Sequence, residues 1–357
     1  MRNWFKYFDK PAFFVILSLA FAGIILIYSA SHGTDRPYYL KQSLWLAVSV
    51  LAFFIILRLN TEKVFQSALP IYFILLVMLF FQLFLGHLTA GTRSWIKTGI
   101  FDIQISEFIK IPLAIILARA LTKFPIIGWK EYIRLIAIIG TPFVLIGMQP
   151  DLGTAFMISS FFLMCLLLKK IRTIILIFSL IMVLGGIFTA WNYVLKPYQK
   201  NRLISFVNPG KYQKSAGYQI IQSRIAIGSG GIAGKGYLNG TQSQYKFLPT
   251  RHTDFIVSVL GEEFGFFGIT FIFVLFFLLF YRQFNIPQQK TDEEFYFVYL
   301  FNFLIFFQFL INILMSIGLF PVLGIPLPFI SYGGSSLLAF FTGEALIFRI
   351  KINNLLT

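Results

Sequence analysis

Charge is scarce in this chain. Of its 357 residues only 12% are Asp, Glu, Lys or Arg, against about 25% in a typical soluble domain. Acid is scarcer still, with 14 Asp and Glu facing 30 Lys and Arg. The single cysteine, Cys165, excludes an intramolecular disulfide and any thiol–metal constellation. Lying in an apolar run, it reads as a small buried hydrophobe. The three histidines, His32, His87 and His252, are far apart and form no zinc-binding spacing such as HExxH. A Walker A loop is also missing. The glycine cluster GSGGIAGKG at 228–236 has Ser229 where that motif needs glycine, and Gly236 where it needs Ser or Thr.

Apolar surface is abundant instead. Hydrophobic residues make up 57% of the chain, with 45 Phe and a mean hydropathy of +0.79. They fall in blocks of the length that crosses a bilayer as a helix, about 17–25 residues. The expected fold is therefore an all-α polytopic membrane protein. Ten spans are predicted near 11–29, 42–58, 69–87, 104–120, 132–148, 152–168, 173–194, 255–281, 295–316 and 331–349. The first block is too long for a signal-peptide core and lacks a cleavage site. With a cytoplasmic N-terminus, sixteen Lys and Arg fall on the inside and only Arg36, Lys41, Arg93 and Lys97 in the short outer loops. That bias predicts both termini in the cytoplasm.

One outer segment breaks the pattern. Residues 195–254, between spans seven and eight, carry Lys196, Lys200, Arg202, Lys211, Lys214, Arg224, Lys235, Lys246 and Arg251. Their only acid is Asp254, at the very end. Long loops translocate despite such charge. The loop reads either as a solvated surface near anionic headgroups or as a site for a polyanion such as a diphosphate. Nucleic acid is not an expected partner on that face. The glycine cluster could bring backbone N–H groups to a phosphate.

Ionisable residues within or beside spans are functional candidates by default. Glu107 and Lys110, three apart on one helix face, can pair. They are either a structural clamp or the lining of a cavity. Asp151 and Asp254 both precede apolar helices and can act as N-caps. For Asp254 a helix N-terminus favours the ionised form, whereas an apolar setting opposes it. One of Glu262 and Glu263 is expected to face the bundle interior, and Glu344 lies deep in the last span. The segment GLFPVLGIPLPFISYGGSS from Gly318 reads as irregular backbone that must be buried or line a cavity. Ser331, Tyr332 and Ser335 supply its hydroxyls.

Several of these pieces recur together in one known family. GTQSQ at 240–244, FLP at 247–249, HTDF at 252–255 and GEEFG at 261–265 resemble the SEDS (shape, elongation, division, sporulation) proteins. So do QPDLGT at 149–154, GYQ at 217–219, IAIGSG at 225–230 and ISYGGSS at 330–336. Their order and the large loop after span seven also agree, so the resemblance covers nearly the whole chain, 1–357, as a single SEDS-like membrane domain. GTQSQ and the short tails are similar to the RodA branch. Thr250 departs from the family's usual Glu, and Ile105 from its usual Pro.

The resemblance implies a peptidoglycan glycosyltransferase of the bacterial cytoplasmic (inner) membrane that polymerises lipid II for cell-wall elongation. It implies a class B penicillin-binding protein as partner, and Asp254 as the essential acid. Asp254 would act as general base on the acceptor hydroxyl. Lys110, Lys97, Arg93, Arg202 and Arg224 are candidates for the departing diphosphate, as is a divalent cation such as Mg or Mn. Glu107, Asp151, His252 and Ser331 are candidates for substrate binding or support. Two other classes fit an intramembrane polar cluster: a lipid II flippase and a non-catalytic scaffold for a synthase.

Overall fold

The structure, a computed structural model, describes all residues except 1–3, 34–36, 86, 90–91, 98–101, 125, 208, 213–215, 246, 285–290 and 356–357. It is a helical bundle whose main elements are α1 (Lys10–Ser31), α2 (Tyr38–Ile56), α3 (Thr61–Leu85), α4 (Ile105–Phe108), α5 (Lys110–Lys123), α6 (Trp129–Met148), α7 (Leu152–Leu168) and α8 (Thr173–Thr189). Three short helices follow in the long loop: α9 (Pro197–Val207), α10 (Ala216–Gly230) and α11 (Thr241–Gln244). The chain then returns through α12 (Ile256–Phe284), α13 (Asp292–Ser316) and α14 (Gly334–Leu355). Seven of the described helices are long and apolar enough to cross a membrane unaided. The consecutive pair α4–α5, the shorter α7 and the more polar α14 complete the ten predicted spans.

Packing explains which apolar faces are hidden. Helix α14 lies on α2, α5 on α13, α6 on α7, and both α1 and α10 on α12. The shared core is aromatic: Phe53, Phe161, Phe276, Phe297, Phe301, Phe340 and Phe341 are all fully buried. Cys165 is buried and free, as expected. Outward faces keep large apolar side chains exposed, for example Phe14, Leu51, Phe84, Leu180 and Phe277. This is the arrangement of a bundle whose solvent is lipid. At the end where the chain begins, Asp9 joins three helices. It caps α1 through Ala12 N at 3.2 Å and pairs with Arg282 (2.7 Å) and Lys351 (2.5 Å).

The all-α expectation holds, with two local features that the sequence reading did not include. Between α3 and α4 the chain forms a small antiparallel sheet of β1 (His87–Thr89), β2 (Thr92–Lys97) and β3 (Asp102–Ile103). Thr92, Trp95 and Ile96 are strand formers in a stretch too short and polar to span. The second feature is a break in α12 at Gly265, where φ is 64°. The glycine cluster docks there. Lys235 and Gly236 donate their N–H groups to the carbonyls of Glu262 and Glu263 at 3.0 Å, and Phe266 N–H donates to Gly231 O at 2.9 Å. A Cβ on Gly234 would stand 2.2 Å from Glu263 O. The cluster therefore serves close backbone approach, and the amides that phosphate binding would need at Lys235 and Gly236 are already used.

Candidate active site

At the end of the bundle that carries the long loop, a cavity of about 290 Å³ opens between six segments. Its wall includes Trp95 of β2, Gln104 and Glu107 of α4, Asp151 and Thr154 of α7, Gln199 and Arg202 of α9, Thr250 and Asp254, and Gly324 and Tyr332 of the loop 318–333. Three acids, Glu107, Asp151 and Asp254, converge here.

Asp254 sits on the turn 250–255 that leads into α12. The turn is organised by the Thr250 carbonyl, which accepts from Thr253 N–H at 3.2 Å and from Phe255 N–H at 3.3 Å. Helix α12 begins at Ile256, and among the described residues none of its amides donates to the Asp254 carboxylate. The carboxylate is thus free of the capping role that its position allowed. Burial pushes its pKa up from 3.8 to about 6, opposed by the nearby Arg202 cation and by hydrogen bonding from Thr253, and reinforced by the negative charge of Asp151. The apolar setting outweighs the helix N-terminus. At neutral pH the group is still largely ionised, and its basicity is matched to proton abstraction near that pH.

Asp151 does cap its helix. It accepts from Thr154 N–H at 3.1 Å, while Gln104 Nε2 donates to its other oxygen at 2.8 Å. Burial raises its pKa, with hydrogen bonds from Thr154 opposing. Glu107 and Lys110 form the predicted pair at 2.9 Å, with both side chains buried. Lys110 Nζ also lies 5.7 Å from the Phe340 ring centroid. Glu107 lines the cavity and its buried Oε2 has no partner, while Lys110 lies outside the wall, so the pair is a clamp whose acid also lines the cavity.

Other sequence candidates are placed differently. Arg224 donates to the carbonyls of Ile317 (3.0 Å) and Gly318 (2.8 Å), tying α10 to the end of α13 rather than lining the cavity. His252 stacks on Tyr38 with centroids 4.4 Å apart. Burial and the neighbouring Arg251 lower its pKa to about 4, so it is neutral. Ser331 is a brace: it donates to Thr253 O at 2.6 Å and accepts from Leu327 N–H at 2.8 Å. The side chains of Arg93 and Lys97 lie outside the described residues. Arg202 is the loop cation that reaches the cavity wall among those described.

Both departures from the family pattern can be located. Ile105 opens α4, where a backbone N–H lacks an intrahelical partner in any case, so proline's missing donor is not required there. Thr250 lines the cavity, and its buried hydroxyl has no partner. Glu262 and Glu263 both point inward. Glu262 accepts from Lys235 Nζ (2.8 Å), Gln242 N–H (2.8 Å) and Ser243 N–H (3.0 Å), anchoring the GTQSQ segment to α12. Glu263 accepts from Ser29, and Glu344 from Gln283. Among the described residues no three His, Cys, Asp or Glu groups converge closely enough to hold a metal ion.

Sequence reasoning missed Gln104, Thr154 and Asn312. Gln104 and Thr154 flank Glu107 and Asp151 in the cavity. Asn312 donates to the Asp254 carbonyl at 2.9 Å. A signal existed for the last: Gln308, Asn312 and Ser316 recur every four residues in an apolar span, marking one polar helix face.

The same chain-length pattern is found in known proteins. The sequence pattern of the FtsW/RodA/SpoVE cell cycle proteins matches residues 10–355. Peptidoglycan glycosyltransferase MrdB of Escherichia coli is 33% identical over 97% of this chain and 94% of its own length. Peptidoglycan glycosyltransferase RodA of Treponema pallidum is 31% identical, covering 98% of each. Among solved structures, a chain from a peptidoglycan synthase complex superposes with a TM-score of 0.80 at 27% identity, covering 97% of this chain and 98% of that one. Thermus thermophilus RodA gives a TM-score of 0.72 at 26% identity, with 97% of each chain covered. The chain belongs to the FtsW/RodA/SpoVE family of polytopic membrane proteins.

Proposed function

We propose that the loop-end cavity is the active site of a peptidoglycan glycosyltransferase and that Asp254 is its general base. The chain joins lipid II units into glycan strands for wall elongation. The observation that carries the assignment is the position of Asp254. It is an uncapped, ionisable carboxylate in a cavity wall, beside the cation Arg202. The acceptor sugar's 4-hydroxyl gives its proton to Asp254 as its oxygen bonds to the donor's anomeric carbon. The bond from that carbon to the lipid diphosphate breaks, and its electron pair leaves with the diphosphate toward Arg202. Attack opposite the leaving group inverts the anomeric centre. Glu107, Asp151 and Gln104 form the polar wall that orients the sugars, Lys110 holds Glu107 in place from behind, and His252 and Ser331 support the turn.

The bias of Lys and Arg supports a cytoplasmic position for both termini in a bacterial cytoplasmic membrane. The loop 195–254 then faces the side on which wall is built, within a single membrane domain spanning 1–357. The structural relative from a complex that coordinates polymerization with crosslinking supports a class B penicillin-binding protein as partner. The test is polymerisation of purified lipid II by the membrane-inserted protein, with and without that partner. Glycan made in the absence of any other glycosyltransferase, and lost in Asp254→Asn at unchanged insertion, is the expected result. Glycan made equally well by Asp254→Asn removes that residue from the role.

A further inference from the structure

Three consecutive carbonyls on the turn that carries Asp254 are each met by a donor from outside the turn. Tyr332 N–H donates to His252 O at 2.9 Å, and the Ser331 hydroxyl donates to Thr253 O at 2.6 Å. Both come from the loop 318–333. The third donor comes from a membrane-spanning helix: Asn312 Nδ2 of α13 donates to Asp254 O at 2.9 Å. The same nitrogen donates to Ile325 O at 2.7 Å. Asn312 thus divides its two amide hydrogens between the acid's own residue and the loop that lies against that acid. Gly324, next to Ile325, is close enough that a Cβ there would stand 3.7 Å from Asp254 Oδ2.

The cost of this arrangement is visible. Asn312 is fully buried, and its Oδ1 has no partner. An unpartnered buried polar atom is destabilising. Gln308, one turn earlier, donates to Pro326 O at 2.9 Å and also leaves its Oε1 unpartnered. Helix α13 therefore presents an amide face to the proline-rich loop. Of the two amides, Asn312 is the one that reaches the turn as well.

We infer that Asn312 is a positioning residue for Asp254: its two-pronged amide bridge locks the turn 250–255 and the loop 318–333 to α13 and fixes the carboxylate against the acceptor hydroxyl. This rests on the reading of Asp254 as the base. Asn312 touches no reacting atom. It acts through the backbone of Asp254, and misplacement of a base by about 1 Å can cost on the order of a hundredfold in rate. Asn312 is not itself part of the cavity wall, so its loss is expected to fall on kcat more than on KM.

The experiment compares wild type, Asn312→Leu and Asn312→Gln as full-length protein in liposomes, with purified lipid II. Asn312→Leu keeps the branched shape and the number of heavy atoms and removes both donors. Its kcat is expected to fall tenfold or more while KM stays within threefold. Asn312→Gln retains an amide donor and recovers at least threefold of that loss. If the leucine variant does not insert, Asn312→Ser carries the same comparison. A kcat within twofold of wild type in a correctly inserted variant overturns the inference, as does a loss shared equally by kcat, KM and folded protein. A wild-type protein that makes no glycan at all overturns instead the reading of the site.

Discussion

Replacing Asp254 by Asn is expected to abolish polymerisation and, at neutral pH, to stabilise the protein. The second effect follows from burial. The carboxylate's pKa stands at about 6 in the folded protein against 3.8 for the free group. A difference of about two units is worth up to about 3 kcal/mol, at about 1.4 kcal/mol per unit. The sign follows from proton linkage. Between pH 3.8 and 6 the folded state binds more protons at this site than the unfolded chain does. Stability therefore falls as pH rises through that window, and the whole cost is in force above it. Asparagine carries no charge and escapes the cost. Thermal unfolding in detergent–lipid micelles at pH 4, 6 and 8 measures this, beside polymerisation assays on the same preparations. The melting temperature of Asp254→Asn is expected to exceed wild type by a few degrees at pH 8, by less at pH 6, and to converge with it at pH 4. For chains of 150–250 residues 1 kcal/mol corresponds to roughly 2–4 °C. A variant that is less stable than wild type at pH 8, or a difference that does not change with pH, refutes the argument that burial of the base opposes folding.

With Asp254 as the proposed base, the same group is expected to set the pH dependence of the reaction. Turnover at saturating lipid II should fall tenfold per unit below about pH 6, because only the ionised Asp254 accepts a proton. Asp151, Glu107, Lys110 and Arg202 are the charged side chains described around that cavity. Arg202→Gln removes the cation that holds the pKa of Asp254 down, so this acid limb should move to higher pH; a flat profile, or movement to lower pH, counts against Asp254 as the base. Lys110→Ala leaves Glu107 buried without its cation and should cost about 3–5 kcal/mol, read as lost thermal stability, whereas Lys110→Met with Glu107→Gln should recover much of it. Glu262→Ala strips the acceptor from Lys235, Gln242 and Ser243 and should open residues 228–244 to limited proteolysis; an unchanged cleavage pattern shows that the backbone contacts at Gly265 hold this loop alone.

What the sequence made legible follows from where information is local. Spans are local: an apolar run carries its own length, and the ten runs became bundle helices. The Glu107–Lys110 pair is local as well, since three residues separate partners on one helix face. Asp254 stood out because it is the only acid in a strongly basic segment. The division of labour among the loop cations was not legible. Arg202 and Arg224 have similar surroundings in sequence, yet α9 turns the first to the cavity while α10 turns the second onto the Ile317 and Gly318 carbonyls. The glycine cluster looked like a candidate for phosphate because its true partner, the break in α12 at Gly265, lies some thirty residues further on. The sheet between α3 and α4 was hidden for a different reason. Its strands are two to six residues long, and strand preference over so few residues is weak against context.

The arrangement of polar groups along the bundle separates the polymerase from the flippase. At the end opposite Asp254 a second cavity, of about 540 Å³, is lined by Glu62, Arg119, Glu293, Glu294 and Arg349. Both cavities touch the fourth span, at Glu107 and at Arg119. Those residues are twelve positions apart, or about 18 Å of helix. A lipid-linked diphosphate crossing the bilayer would need a polar route over that distance. The seam in between is made of Leu113, Ala114, Leu117 and Ala118 packed toward Phe297, Phe301 and Leu304, all buried and apolar. Asn302, buried at the same level, directs its amide to the Val298 carbonyl of its own helix. A dry seam is costly for a diphosphate to pass. Transport would require α5 and α13 to part along their length, against the contacts that make the core. Polymerisation requires only that substrates reach the loop-end cavity, where the acid, the cation and the tethered turn are already assembled.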